Sequence, residues 1–399
     1  MATKGGPKPE DGGIARAASG DKRWRLDVAF SSEELFSRFV GLGLSVPAAK
    51  TVEGFISSNV IACATSGHAQ NSLQHLVLNG IWFPEVYRLE GSEAHHRVYH
   101  DELHTLQTIE RLSTVTDLCK ESLTKEQIFG LLMGMAYHDS IVFLHGRGPN
   151  FSLSNETESI AAMLYSANAI NENSRDEILD YEAIVLVAVG TIAATNLRIH
   201  TEDLVGGSWP AALTRTKIID AQDLVDAVCA SGTHIPVLPQ VVACAVYADL
   251  GGVFSNKIEE RISSSLRHFW ETRPDFITFA NSTNYSAKDT VEFLRAVQGM
   301  SLGERGFLEM VAGPRLWAAL SPVFSEEVIN NLLPMRTRFN EVILDLEARL
   351  PLQKALGLLK SLENVYPEEQ PQMLLNEEQK KELGSILYAL SAPTLQQDS

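Results

Sequence analysis

Helix-start signals followed by apolar residues at helical spacing recur along almost the whole chain. Ser31 and Glu34 fit a capping box, in which a Ser or Thr side chain caps a helix and a Glu or Gln three residues later reaches back to it. Thr124 and Gln127 repeat the motif before a second apolar run. Residues 96–118 carry apolar side chains three or four positions apart, which is the period of one helix face. The pattern predicts an all-α fold, a compact multi-helix bundle.

No long linker interrupts the central part of the chain, which indicates one large domain. Residues 29–350 are predicted to form it, with 29–96 as an N-terminal helical cap. Residues 1–28 are predicted to be a disordered tail, and 351–399 to be C-terminal helices and a tail. "DFITFANSTNY" is the one stretch whose pattern allows extended structure. Further helices are predicted at about 156–170, 176–200, 215–229, 236–250, 256–272, 287–298, 304–320, 325–348, 353–363 and 376–390.

The composition argues against some classes of function. The net charge is −17, and no basic block offers the positive surface that nucleic acids bind, so we expect no nucleic-acid partner. The longest apolar runs, 183–194 and 237–248, are shorter than the roughly 18 residues of a membrane span, so they predict buried helices. The four cysteines are far apart and form no CxxC pattern, which is typical of reduced thiols and favours a cytoplasmic location.

Histidines and aspartates stand near the ends of three predicted helices. His100 and His104 are four residues apart, which on a helix places them on one face. His138 and Asp139 close a second apolar helix, and Asp249 closes a third, where a carboxylate meets the negative end of the helix dipole. A bound cation would resolve that conflict, and these nitrogen and oxygen ligands suit Zn, Mg, Mn or Fe. Each piece alone is more often a solvated helix face or a chance pair, but their order on three helices favours one metal site.

That order, His…His-Asp…Asp, is the signature of the HD superfamily of metal-dependent phosphohydrolases, and the flanking residues resemble one family within it. "VYHDELHTLQT" and "MAYHDSIVFLHGRGPNF" are similar to two segments of class I cyclic-nucleotide phosphodiesterases. "IAATNLRIH", "AVYADLGG" and "ERGFLEMVAGPRLWAAL" resemble three later segments, in the family's order. The resemblance covers about residues 97–320. It implies a catalytic domain that hydrolyses a 3′,5′-cyclic nucleotide to the 5′-monophosphate.

The resemblance also implies a role for each matched side chain. His104, His138, Asp139 and Asp249 would bind metal, with zinc at a first site and Mg or Mn at a second, and His100 would be the general acid. The implied substrate-binding residues are Glu304, Phe307, Asn196 and Tyr99. The residues implied to support the ligands from behind are His145, Asp101, Glu158 and Thr195.

This chain departs from the family's pattern around the metal ligands. Asp101 replaces an Asn, Asn196 replaces an Asp and Glu304 replaces a Gln, and three residues appear inserted before His145. An ionised carboxylate only accepts hydrogen bonds. Glu304 therefore predicts a preference for cyclic GMP, whose base edge offers two donors, over cyclic AMP.

Two alternatives stay open from the residues. Another HD-type metalloenzyme could hydrolyse a different phosphoester or, with iron, run an oxygenase reaction. A non-catalytic descendant could keep the metal for structure alone. The expected partner is a small-molecule cyclic nucleotide, and a homodimer is left open.

Overall fold

The protein is all-α, as the sequence predicts. The computed structural model describes residues 30–90, 99–140, 155–197, 238–254, 258–273, 275–282, 284–336, 352–365 and 373–391. The helices of these segments are α1 Ser32–Gly41, α2 Val46–Cys63, α3 Gly67–Glu90, α4 Glu102–Cys119, α5 Lys125–Tyr137, α6 Asn155–Asn168, α7 Glu172–Arg175, α8 Tyr181–Thr195, α9 Pro239–Leu250, α10 Ile258–Thr272, α11 Asp275–Ala280, α12 Ala287–Phe307, α13 Gly313–Leu320, α14 Glu326–Leu332, α15 Leu352–Val365 and α16 Glu377–Ser391. Within these residues, β pairing is limited to the isolated bridges Ala64–Ile178 and Ser286–Leu374.

The helix starts follow the capping signals of the sequence. Ser31 and Glu34 form the predicted capping box of α1, and Thr124 and Gln127 form that of α5. One boundary was predicted wrongly. Asp101 is the N-cap of α4, so His100 lies in a bend before the helix and does not share a helix face with His104.

Two further expectations about local structure are corrected. The start of "DFITFANSTNY" is the short helix α11 and not extended chain. The two helices expected at 287–298 and 304–320 are joined, because α12 runs through to Phe307 and continues as a π-helical turn, Leu308–Ala312, into α13. That π turn directly follows the residues predicted to bind a base.

The main core packs α9 against α4, α5, α8 and α13. Its interior is apolar, with Leu106 and Ile109 of α4, Leu132 of α5 and Val242 and Val246 of α9 all buried. The first three helices also belong to this core. Because α9 lies against both α4 and α5, the C-terminal end of α9 comes close to the N-terminal end of α4 and the C-terminal end of α5.

A second, separate cluster of buried side chains joins α10, α11 and α12 to the C-terminal helices α15 and α16. It is rich in aromatic rings, among them Phe269, Trp270 and Phe293. The indole Nε1 of Trp270 donates a hydrogen bond to the carbonyl of Leu390, 3.2 Å away, which ties α10 to α16. The helix α10 therefore packs into this cluster on one side, which leaves its other side to face the main core.

No helix of the described residues combines the length and apolarity needed to cross a bilayer. The helix expected at 325–348 is shorter than predicted, because α14 ends at Leu332 and residues 333–336 form turns. The tail at 1–28, the helix at 215–229 and the part of the chain from 337 to 348 lie outside the described residues. The domain boundaries at 29, 96 and 350 stay predictions.

The packing of α5 against α8 depends on two glycines. A Cβ at Gly130 would lie 2.6 Å from Val187 Cβ, and one at Gly134 would lie 2.8 Å from the carbonyl oxygen of Ala188. We therefore expect Gly134→Ala to lower the free energy of unfolding by about 1–3 kcal/mol, the usual cost of overpacking a core. Urea denaturation followed by circular dichroism measures this change.

Gly54 of α2 supplies the matched control, because nothing lies within 4 Å of a Cβ added there. Gly54→Ala should raise the free energy of unfolding by up to about 1 kcal/mol through helix propensity. Equal effects of the two substitutions would contradict the close approach of α5 and α8.

Candidate metal centre

Three side chains of the types that bind metals converge where α4 begins and α5 ends. His104 lies in the first turn of α4, and His138 and Asp139 follow α5 directly. The Nε2 atoms of His104 and His138 lie 3.2 and 3.0 Å from Oδ2 of Asp139. Ligand atoms of all three residues lie within 4.8 Å of one another, which is the spacing of donors around one cation.

The two imidazoles are oriented for binding. Nδ1 of His138 lies 2.8 Å from the carbonyl oxygen of Met135, which can only accept, so Nδ1 carries a proton and Nε2 faces Asp139. His104 and His138 are 4% and 1% exposed, and neither Nε2 atom has a hydrogen-bond partner among the described residues. Buried polar atoms are normally hydrogen-bonded, so two nitrogens that face one carboxylate oxygen without hydrogen-bond geometry fit a shared cation.

Asp249 lies beside this group near the end of α9. Its Oδ1 is 3.8 Å from Nε2 of His138. Burial raises the pKa of Asp249 to about 6, because this effect and the charge of Asp139 outweigh the lowering by His138. The helix end is held by Arg111, whose Nε donates to the carbonyl of Ala248 at 2.7 Å. Two largely buried carboxylates side by side repel each other, and a cation between them would remove that repulsion.

The protonation of the cluster reflects the same charges. Burial lowers the pKa of His104 to about 3, so its ring is neutral and its nitrogen can bind a metal. Burial also opposes a charge on His138, but the carboxylates of Asp139 and Asp249 raise its pKa to about 9. A cation bound at Nε2 of His138 would therefore have to displace a proton.

His100 is held outside this group by a carboxylate that sequence reasoning missed. Oε1 of Glu271 pairs with Nδ1 of His100, and Oε2 accepts hydrogen bonds from the backbone N–H groups of Tyr99 and His100, at 2.6 and 3.0 Å. Glu271 is 1% exposed, whereas the His100 side chain is 20% exposed. Burial acts to raise the pKa of Glu271, but the His100 ring and the backbone donors lower it to about 2.

A second residue of α10 fixes the same bend. Arg267 forms an ion pair with Asp101 and donates to the carbonyl of Tyr99 at 3.3 Å. Asp101 also accepts from the N–H of His104 at 3.0 Å, as the cap of α4. Asp101 therefore supports the site through the backbone and through Arg267. No motif marked Arg267 or Glu271, because both lie more than 160 residues along the chain from the bend.

Aromatic rings surround the histidines. The ring centroids of Tyr99 and His104 are 4.6 Å apart, and those of His100 and His104 are 5.8 Å apart. His268, on the exposed side of α10, makes an edge contact with Tyr99 at 5.4 Å. Burial raises the pKa of the Tyr99 phenol, so the phenol stays neutral where it lines the site.

The predicted base-binding residues lie at the end of α12. Oε1 of Glu304 accepts a hydrogen bond from Ser265 at 3.0 Å and lies 3.5 Å from Nη2 of Arg261. Phe307 is partly buried against the main core. The neighbouring Arg305 pairs with Glu309 instead, at 3.1 Å.

The other predicted residues are bound locally or lie outside the described part. The amide of Asn196 donates to Glu156 at 3.0 Å, and the hydroxyl of Thr195 donates to the carbonyl of Ile192 at 2.8 Å. Glu158 belongs to α6, but its side chain lies outside the described residues, as does the whole of His145. Comparison with protein-family models, curated proteins and solved structures finds no match.

The metal centre predicts the effect of removing one ligand. His138→Ala and Asp249→Ala should each lose affinity for zinc or manganese. The loss should exceed the roughly 10–100-fold that is typical when a residue supporting a ligand is removed. Isothermal titration of the metal-free proteins and elemental analysis of the loaded ones measure this. His68→Ala is the control, because His68 is exposed and far from the cluster in the chain. Unchanged metal content in both ligand variants would contradict the site.

Proposed function

We propose that this protein is a metal-dependent phosphohydrolase that cleaves a 3′,5′-cyclic nucleotide to the 5′-monophosphate. The observation that carries the proposal is the Glu271–His100 pair beside the His104, His138 and Asp139 cluster. A cluster that only stabilises the fold has no use for a half-buried histidine whose orientation is fixed by a buried carboxylate. A hydrolase needs such a histidine as a proton donor.

The Nε2 atoms of His104 and His138, which make no hydrogen bond to a described residue, indicate that the side chains of the cluster fit divalent cations. His104, His138, Asp139 and Asp249 would hold a first ion, for which zinc is the best match, and the carboxylates would share a second, Mg or Mn. When bound, divalent ions here supply a nucleophile from water at neutral pH and screen the charge of the phosphodiester.

His100 has the arrangement of a general acid. Its Nδ1–H donates to Glu271, which fixes the ring and places a negative charge beside it. The second nitrogen, Nε2, can then hold a proton for the 3′-oxygen. Hydrolysis adds a water oxygen to phosphorus and breaks the bond to the 3′-oxygen, which leaves with the proton from His100.

The Glu271–His100 pair also bears on the alternative reactions. An iron oxygenase of this type would use His100 as a further metal ligand. Glu271 contacts Nδ1 of His100, and Nε2 is the atom that would serve in either role, so the metal content of a His100 variant distinguishes the two reactions. The choice of a cyclic nucleotide over another phosphoester rests on the resemblance and on Glu304 and Phe307 near the site.

The general-acid role predicts a loss of rate without a loss of metal. His100→Ala should lower kcat for cyclic nucleotides by about 10²–10⁴-fold while the metal content stays at the wild-type value. Steady-state hydrolysis and elemental analysis of the same preparation provide the measurement. Loss of metal in this variant would make His100 a ligand and favour the oxygenase alternative.

Glu271 should act on the same step through His100. Glu271→Gln keeps the size of the side chain but removes its charge, so the His100 imidazolium is less favoured, and we expect kcat to fall by about 10–100-fold. The basic limb of the pH–rate profile, where the general acid loses its proton, should also move to lower pH. Glu363→Gln, at an exposed pair with Arg295 in the second cluster, is the control. Identical profiles in Glu271→Gln and wild type would contradict the role.

A further inference from the structure

One buried guanidinium has no purpose in the site as described so far. Arg261 of α10 is 4% exposed, and its Nε and Nη2 atoms have no hydrogen-bond partner among the described residues. Its nearest opposite charge is Glu304, whose Oε1 lies 3.5 Å from Nη2, an ion pair without hydrogen-bond geometry. An unpaired buried donor destabilises a fold, and such a group is often kept for a ligand.

Glu304 is occupied on one oxygen only. Oε1 accepts a hydrogen bond from Ser265 and faces Arg261, whereas Oε2 makes no hydrogen bond or ion pair with a described residue. The Glu304 side chain keeps 25% of its surface exposed. Together the two residues present guanidinium donors beside a carboxylate acceptor.

The pair lies on the side of α10 that leads to the metal centre. Arg261, Ser265, His268 and Glu271 recur at helical spacing, and the last two contact Tyr99 and His100. Glu304 acts on Tyr99 as well, because its charge is among those that, after burial, raise the pKa of that phenol. Phe307, one turn after Glu304, adds a partly exposed aromatic ring.

We propose that Arg261 is a specificity-determining residue that donates hydrogen bonds to the acceptor on a nucleobase edge while Glu304 accepts from the neighbouring donor. This inference rests on the proposed hydrolysis of a cyclic nucleotide. The ligand class is a planar heterocycle with a donor and an acceptor side by side. Adenine offers N6–H and N1, and guanine offers N1–H and O6.

The pair changes the specificity expected from Glu304 alone. A lone carboxylate repels N1 of adenine and suits the two donors of guanine. With Arg261 beside it, the acceptor of either base has a donor to meet. We therefore expect cyclic AMP and cyclic GMP to be hydrolysed with kcat/KM values within about tenfold of each other, and not the strong guanine preference that the carboxylate alone predicts.

The test compares wild type with Arg261→Met, which keeps the length of the side chain and removes its donors. We expect kcat/KM for cyclic AMP to fall by about 10–100-fold and that for cyclic GMP to fall less, so that the guanine-to-adenine ratio rises. Bis(4-nitrophenyl) phosphate, a diester without a base, should be cleaved by both proteins at the same rate. Arg305→Met is the matched control, since Arg305 is exposed and pairs with Glu309.

Thermal unfolding separates a ligand role from a structural one. Without nucleotide, Arg261→Met should melt at or above the wild-type temperature, because the substitution removes a buried charge with two donors that make no hydrogen bond. Cyclic AMP should raise the melting temperature of wild type and of Arg305→Met, but not that of Arg261→Met. If Arg261→Met does not fold, Arg261→Lys takes its place, because it retains the charge but lacks the planar guanidinium donors. Cyclic AMP should then fail to raise the melting temperature of Arg261→Lys.

The outcomes distinguish this inference from the proposed function. If wild type cleaves the diesters but Arg261→Met leaves both nucleotide kcat/KM values unchanged, the inference is wrong and the hydrolase proposal stands. If wild type cleaves no diester, the proposed function fails. In that case the melting data decide, and the inference is overturned if cyclic nucleotides stabilise neither protein or both equally.

Discussion

The structure depends on how it keeps four charged or polar side chains inside an apolar helical core. Asp139 and Asp249 lie largely buried next to the imidazoles of His104 and His138, in contacts of 3.0 to 3.8 Å. Removing such groups from water is costly unless they are paired or bind a metal. The core helices α4, α5 and α9 place them there because each presents its end, and not its apolar face, to the same point. A divalent cation is the simplest partner for this combination of donors.

The helix α10 connects that centre to the rest of the molecule. Leu266, Phe269 and Trp270 bury one side of it in the second hydrophobic cluster, against the C-terminal helices. Arg267 and Glu271, on the other side, hold the bend that carries His100. Packing in the second cluster thus fixes His100, the proposed proton donor, beside the first core. The C-terminal helices contribute to the site although none of their side chains lies in it.

The sequence was sufficient for features that depend on local pattern. Capping boxes at Ser31 and Thr124 and the apolar period identified the helices, and the positions of His138 and Asp249 at helix ends followed from them. The sequence was insufficient to place a helix start where a capping residue lies within a run of helical apolar spacing. Asp101 caps α4 and so excludes His100 from the helix, although the apolar spacing continues upstream.

Long-range partners were also beyond the reach of the sequence. Glu271 and Arg261 stand in a helix with no recognisable motif, and only folding brings them to His100 and Glu304. Asp101, which stands where the phosphodiesterases that the sequence resembles have an Asn, is matched by Arg267. Charge pairs of this kind cannot be predicted from one sequence, because the number of residues between the two partners has no fixed value.

The most direct measurement of the central claim is the X-ray absorption spectrum of the zinc-loaded protein. Zinc bound at this centre should be surrounded by nitrogen and oxygen atoms at about 2.0–2.1 Å, with no sulfur at about 2.3 Å. Two imidazoles, those of His104 and His138, should contribute to the scattering. A sulfur shell, fewer than two imidazoles, or failure to take up zinc in stoichiometric amount would contradict the claim.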